Sequence, residues 1–139
     1  MLLRQNNCKL IVYPGAFNMV TGPAHWELLQ RGRAVDNQLF VAACSPARNE
    51  TSGGYVAWGH SSIVNPWGNV IAKAGSKEEI IHGTRSLTRS LTQSLNLFAY
   101  WFNFFPGTLN LQEVDEMRDG IPCWKQKRHD IYQLQKKIL

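Results

Sequence analysis

Apolar residues in this chain gather in short flat runs. Lys9–Tyr13 carries Leu10, Ile11 and Val12 without a polar break, and Pro14-Gly15 stops it. Too short for a helix and rich in β-branched residues, the run predicts a buried strand with a sharp exit. Gln38–Cys44 repeats the pattern and ends at Ser45-Pro46. Between the two, Trp26, Leu29, Ala34 and Val35 fall near one helical face, with Arg31 and Arg33 off it. Thr21 is placed to cap that helix and Pro23 to occupy its first turn. Gly32 in mid-helix costs about 1 kcal/mol relative to Ala. Two buried strands joined through a helix satisfy a βαβ unit, which implies a parallel pair.

Further on, Val56–Val64 and Asn69–Ala74 flank Asn65-Pro66-Trp67-Gly68. Two β-prone runs around such a turn predict a hairpin. Glu78–His82 reads as one more strand, and Leu111–Arg118 as a short amphipathic helix closed by Gly120-Ile121-Pro122. Residues 1–7 read as the polar end of a helix, and Glu50–Gly54 as a surface loop. Strand, helix, strand, then hairpin is an α/β or layered α+β order, with a sheet covered by helices.

Residues 84–108 break this order. Ser86-Leu87-Thr88-Arg89, Ser90-Leu91-Thr92-Gln93 and Ser94-Leu95-Asn96-Leu97 form a near-repeat, and Phe98–Phe105 then sets six aromatics in eight positions. The apolar run is too short to span a bilayer, which takes about 20 residues. An amphipathic surface helix with Arg85 and Arg89 on its rim is an open alternative. Exposed aromatics in such a run would favour aggregation.

Composition narrows the classes. A chain of 139 residues fits one small domain. Its net charge of +5 is concentrated in Trp124–His129 and Gln135–Lys137. With no basic stripe elsewhere, this reads as a solvated tail, and no nucleic-acid partner is expected. Cys8, Cys44 and Cys123 are widely spaced and form no metal-ligand pattern, so no metal is expected. No phosphate-cradling glycine motif occurs, and no cofactor is expected. No secretory signal pattern follows Met1, so the cytosol is the expected compartment and Asn49-Glu50-Thr51 carries no weight as a glycosylation signal.

Candidate chemistry is sparse. Cys44, at the end of an apolar run, is an eligible nucleophile, with His25 and His60 as candidate bases. Nothing local pairs them, and core packing is the favoured reading for Cys44 and Cys8. His60, between Gly59 and Ser61, fits a single structural hydrogen bond better than a catalytic role. Glu27 reads as a surface carboxylate.

Several longer motifs carry more information. They are Tyr13-Pro14-Gly15-Ala16-Phe17-Asn18, Thr21-Gly22-Pro23-Ala24-His25-Trp26-Glu27-Leu28-Leu29, Arg33-Ala34-Val35-Asp36-Asn37, Ser45-Pro46-Ala47-Arg48 followed by Tyr55–Ser61, and Asn65-Pro66-Trp67-Gly68. Together they resemble the nitrilase superfamily of carbon–nitrogen hydrolases, on its omega-amidase branch. The resemblance is to the C-terminal half only, over roughly residues 1–82 and 109–134. It implies the C-terminal part of an αββα sandwich, with an incomplete sheet. The domain map it implies is a partial hydrolase domain at 1–83, an atypical insertion at 84–108, and a C-terminal helix and tail of the same domain at 109–139.

The resemblance also implies a reaction. Omega-amidases hydrolyse the side-chain amide of α-ketoglutaramate or α-ketosuccinamate to the keto-diacid and ammonia, through a Cys, a Glu and a Lys. In the family the nucleophile lies in a Cys-Tyr-Asp-x-Arg-Phe motif ahead of the strand matching Leu10–Tyr13, and Cys8 matches a second, non-catalytic Cys. No catalytic residue is therefore expected here, and the chain alone is expected to be inactive. Substrate contact is implied for Phe17, Asn18, Thr21 and Arg48, the last because a guanidinium fork suits a carboxylate. Val20 departs from a Thr usual there. Implied partners are the keto-acid amide and a homodimer, or a heterodimer with a full-length relative, without nucleic acid or membrane. The alternative role is a non-catalytic regulatory subunit. The implied location is cytoplasmic, with mitochondria second.

Overall fold

The two flat apolar runs lie side by side. β1 (Leu10–Pro14) and β2 (Phe40–Cys44) pair in parallel, from Leu10 opposite Phe40 to Pro14 opposite Cys44. The computed structural model describes residues 2–51, 53–81, 109–128 and 131. Expectations for 84–108, for His82 and for the tail beyond Ile131 lie outside the described residues. A short helix α1 (Leu2–Gln5) precedes β1, and α2 (Thr21–Asn37) connects β1 to β2. β3 (Ser62–Val64) and β4 (Val70–Lys73) complete one four-stranded sheet in the order β1-β2-β3-β4, with β2–β3 and β3–β4 antiparallel. Helix α3 (Gln112–Gly120) is the last element.

The β3–β4 turn is the predicted hairpin, but its first arm is Ser62–Val64 alone, since residues 56–61 of the expected Val56–Val64 run form no strand. The Asn65 and Gly68 N–H groups donate to the Asn69 and Asn65 carbonyls at 2.9 Å each, and Asn65 Oδ1 accepts the Asn69 N–H at 2.8 Å. Gly68 has φ of +79°, and a Cβ there would lie 2.7 Å from Val35 Cγ2. Only glycine meets both demands. The register slips between Ile63 and Val64, whose partners are Ala72 and Val70.

Side-chain alternation along the strands divides the core. Ile11, Val41 and Val64 pack with Ala34 of α2 on one face of the sheet. Leu10, Ala42 and Ile63 lie on the other, with Ala72, Ala74, Ile81 and Leu109. The chain's far end closes on its start. The Arg118 guanidinium on α3 donates to Gln38 O, Asn7 Oδ1 and Cys8 O, and Asn65 Nδ2 donates to Glu113 Oε1 at 2.6 Å.

Several sequence expectations need correction. The sandwich was assigned only as a C-terminal part. The observed α-β-α-β-β-β-α arrangement with its open sheet instead runs from Leu2 to Gly120, because the first residues and α3 share one set of contacts. β1 is not buried: it is an edge strand, with Val12 49% and Tyr13 45% exposed, and β2 occupies the buried position. Residues 78–81 form no strand. Glu79 Oε2 accepts the Gly75 N–H at 2.7 Å, and Ile81 folds under the sheet at 7% exposure. The buried stripe of α2 is Gly22, Trp26, Gln30, Ala34 and Asn37, whereas Leu29 and Val35 face out. No described helix is long and apolar enough to cross a membrane.

Candidate functional site

Pro14 and Gly15 turn the chain off the sheet, with the Gly15 N–H still bonded to Cys44 O at 2.9 Å. The next three residues form a loop that reaches α2 through Asn18. Asn18 Oδ1 accepts from the N–H groups of Val20 (3.0 Å) and Thr21 (2.8 Å) and from the Thr21 hydroxyl (2.9 Å), while its carbonyl takes the Gly22 N–H at 2.8 Å. These are the bonds of an N-cap, so Asn18 caps the helix by its bonding although the helical span is Thr21–Asn37. Thr21 is not the cap. Its side chain supports Asn18.

Trp26 fixes the loop from inside. Its Nε1–H donates to His60 O at 2.7 Å, and its ring meets Phe17 edge-on at 5.2 Å and 67°. Trp58 closes it from the other side. The Trp58 N–H donates to Phe17 O at 2.7 Å, and its ring lies so near α2 that a Cβ on Gly22 would stand 2.3 Å from Trp58 Cγ. Tyr55 adds a bond from its hydroxyl to Ala16 O at 3.0 Å.

Arg48 approaches the same tryptophan. Its guanidinium lies 4.9 Å over the Trp58 ring, Nη2–H donates to Trp58 O at 3.0 Å, and Nη1 is 3.7 Å from Glu50. Its backbone N–H donates to Ser76 O at 2.7 Å. Arg48 Nε is buried without a partner among the described residues.

Phe17, Asn18 and Thr21 therefore form one continuous contact, and Trp58 joins Arg48 to them. Trp58 and Tyr55 were not singled out from the sequence as site residues. The signal was present in the Tyr55–Ser61 motif, most of which falls in the run expected as a hairpin arm and forms no strand. Beside Trp58, a polar hollow of about 230 Å³ is lined by Ser45, Gly59, His60, Ser61 and the Lys77–Glu79 turn. His60 has φ of +61°, sets its ring 4.5 Å from that of Trp58 at a tilt of 46°, and brings Nδ1 within 3.2 Å of Ala74 O.

The cysteines lack nucleophile geometry. Burial pushes the Cys44 thiol up, against a smaller downward pull from the Ser61 hydroxyl, so Cys44 is held as a thiol. Cys8 Sγ donates to Leu10 O at 2.9 Å, Cys123 is exposed, and His25 is exposed on α2. Glu27 on α2 is held below the usual carboxylate range, chiefly by its bond from Lys73. Among the described residues no cluster of His, Cys, Asp or Glu could hold a metal.

The family model described as carbon-nitrogen hydrolase matches residues 1–94. An omega-amidase of Danio rerio is 51% identical over 128 residues, which is 92% of this chain and 37% of that protein. The omega-amidase of Homo sapiens is 47% identical over 133 residues, 96% of this chain and 39% of that one. A crystal structure of a Saccharomyces cerevisiae member of branch 10 of the nitrilase superfamily matches with a TM-score of 0.66 at 37% identity, covering 91% of this chain and 38% of its own. The chain thus spans under two fifths of the length of these curated relatives. One expectation is overturned: the resemblance is not confined to a C-terminal half, since similarity runs over 92% to 98% of the chain.

Proposed function

Because the chain belongs to the carbon–nitrogen hydrolase family, we propose that the loop at Phe17–Thr21, with Trp58 and Arg48, forms one wall of an omega-amidase-type site. Its substrate class is a short keto-diacid monoamide such as α-ketoglutaramate. The observation that carries this reading is the clustering of Phe17, Asn18, Thr21 and Arg48 around Trp58 in a chain about half identical to omega-amidases. Phe17 gives the wall an apolar surface. Asn18, with Oδ1 committed to the helix start, offers its amide nitrogen. Arg48, held by the Trp58 ring and carbonyl, supplies positive charge of the kind that recognises a carboxylate.

This wall contains no nucleophile. Burial raises the Cys44 pKa, away from the activated thiolate that amide hydrolysis requires, and Cys8 Sγ donates to a backbone carbonyl. Amide hydrolysis then needs a Cys, a Glu and a Lys from outside these residues. The purified 139-residue chain is expected to release no ammonia from α-ketoglutaramate above background, with Cys8→Ser and Cys44→Ser unchanged. Turnover abolished by either substitution would overturn this account. Arg48→Lys is expected to weaken binding of α-ketoglutarate about ten-fold, read by titration calorimetry, since a Lys cannot keep the planar fork.

A second reading is a non-catalytic subunit that pairs with a full-length relative. The open edge of β1 favours it.

A further inference from the structure

The polar hollow of about 230 Å³ beside Trp58 takes no part in the wall around Phe17. Two left-handed residues in succession, Gly59 (φ +79°) and His60 (φ +61°), bend the chain around it. A Cβ at Gly59 would stand 3.0 Å from Ser76 Cα, so only glycine lets the two walls come this close at that φ. A residue such as His60 adopts positive φ only where the surroundings hold it. Here the holding bonds run between the walls of the hollow. His60 N–H donates to Gly75 O at 3.0 Å, and Ala74 N–H donates to Ser61 O at 2.8 Å.

Donors in this hollow are spent. The Ser45 hydroxyl donates to Pro46 O at 3.3 Å and the Ser61 hydroxyl to Ser45 O at 3.2 Å. The Ser45 N–H goes to Ser61 Oγ at 3.0 Å, and the Gly75 N–H to Glu79 Oε2 at 2.7 Å. Ala74 O can only accept, so the His60 nitrogen that meets it at 3.2 Å, Nδ1, carries the ring proton. Nε2 is then left as an acceptor. Neither Nε2 nor Glu79 Oε1 has a partner among the described residues. Glu78 adds a second carboxylate to the lining. Lys77, exposed at the rim, is the one ammonium there.

What remains is a hollow rich in lone pairs and negative charge, with a single cation at its rim. A complementary ligand brings N–H donors and positive charge inward and an anionic group outward. It is also small, since the hollow falls below the about 300–1,000 Å³ of pockets that hold drug-sized molecules. We propose that the hollow binds a small free α-amino acid, with its ammonium on Glu79 Oε1 and His60 Nε2 and its carboxylate on Lys77. This site is separate from the Phe17 wall and stands whether or not that wall serves an amidase. The two are neighbours through Trp58, whose ring lies 4.5 Å from that of His60 and whose N–H donates to Phe17 O.

The test titrates the isotope-labelled 139-residue chain with L-alanine, followed by the amide signals of the protein. Propionate and ethylamine, which carry the carboxylate and the ammonium singly, are titrated beside it. L-alanine is expected to shift the Gly59, His60 and Gly75 amides saturably, with each half-ligand about ten-fold weaker or more. Glu79→Gln keeps an oxygen for the Gly75 N–H but loses the charge, and is expected to weaken L-alanine binding about ten-fold. Lys77→Met, at an exposed position, is expected to do the same from the carboxylate side. Should the thermal melt show Glu79→Gln to be unfolded, Lys77→Met carries the test. No saturable shift, or affinity unchanged by the substitutions, overturns the proposal. Propionate or ethylamine binding as tightly as L-alanine also overturns it, since only one end of the ligand would then be read. Shifts confined to Phe17 and Thr21 would place the amino acid on the wall instead and sink the separate site.

Discussion

Asn18 gathers three hydrogen bonds on one oxygen, and that oxygen decides where α2 begins. The first turn of any helix leaves N–H groups without internal partners, and a side-chain acceptor placed just before it satisfies them. Asn18→Ala is expected to destabilise the chain by about 1 kcal/mol, with Asn18→Asp near neutral. Urea midpoints of the two variants check this, and equal losses in both would assign the effect to something other than capping. Asn18 could be picked from the sequence as a site residue only through its motif. The sequence placed the cap at Thr21, since both residue types cap helices and local pattern does not rank them. The same limit applied to Arg48, whose partners are Trp58 and Glu50. Of these, Trp58 is ten residues away, in a run expected as a strand that forms none.

At the scale of elements, α2 carries two glycines that the sequence treats alike and the structure does not. Gly22 faces the Trp58 ring with no room for a Cβ, whereas Gly32 has nothing within 4 Å of one. Gly32→Ala is therefore expected to stabilise by about 0.4–1 kcal/mol, as backbone entropy is removed from the unfolded chain. Gly22→Ala is expected to cost on the order of 1–3 kcal/mol by overpacking, and to shift Trp58 fluorescence as the ring moves. Thermal melts of the pair check both signs at once. The helix itself was legible, as were β2, the parallel pairing and the Asn65–Gly68 hairpin, because period and turn residues are local signals. The buried face of α2 was displaced toward Leu29 and Val35, because hydrophobicity favoured them while Gln30 goes inside to meet Ser62. The apolar run of β1 looked like a buried strand because composition does not tell an edge from a centre.

Across the whole molecule, Arg118 joins parts of the chain that no local pattern connects. It sits on α3 with 8% exposure and donates to Gln38 O at 3.2 Å, Asn7 Oδ1 at 2.7 Å and Cys8 O at 2.6 Å. Burial and the nearby Arg4 lower its pKa, with Asp115 opposing, yet a guanidinium stays charged and must keep its acceptors. Sequence reading ended α3 near Arg118 and gave it no partner, since its acceptors lie about 80 and 110 positions away. The Lys9–Asp115 ion pair lies half exposed on the same seam and adds little of its own. Removing the guanidinium would strand two backbone carbonyls and an amide oxygen in a closed site, and bonds to a charged donor contribute more than neutral ones. Arg118→Ala is expected to destabilise by on the order of 3 kcal/mol, and Arg118→Lys by less, since one ammonium cannot reach all three acceptors. Hydrogen exchange separates local from global effects. If Arg118 holds the molecule closed, amides of β2 and α3 lose protection together. Loss confined to α3 would mean that the helix is an appended element and the sheet stands without it.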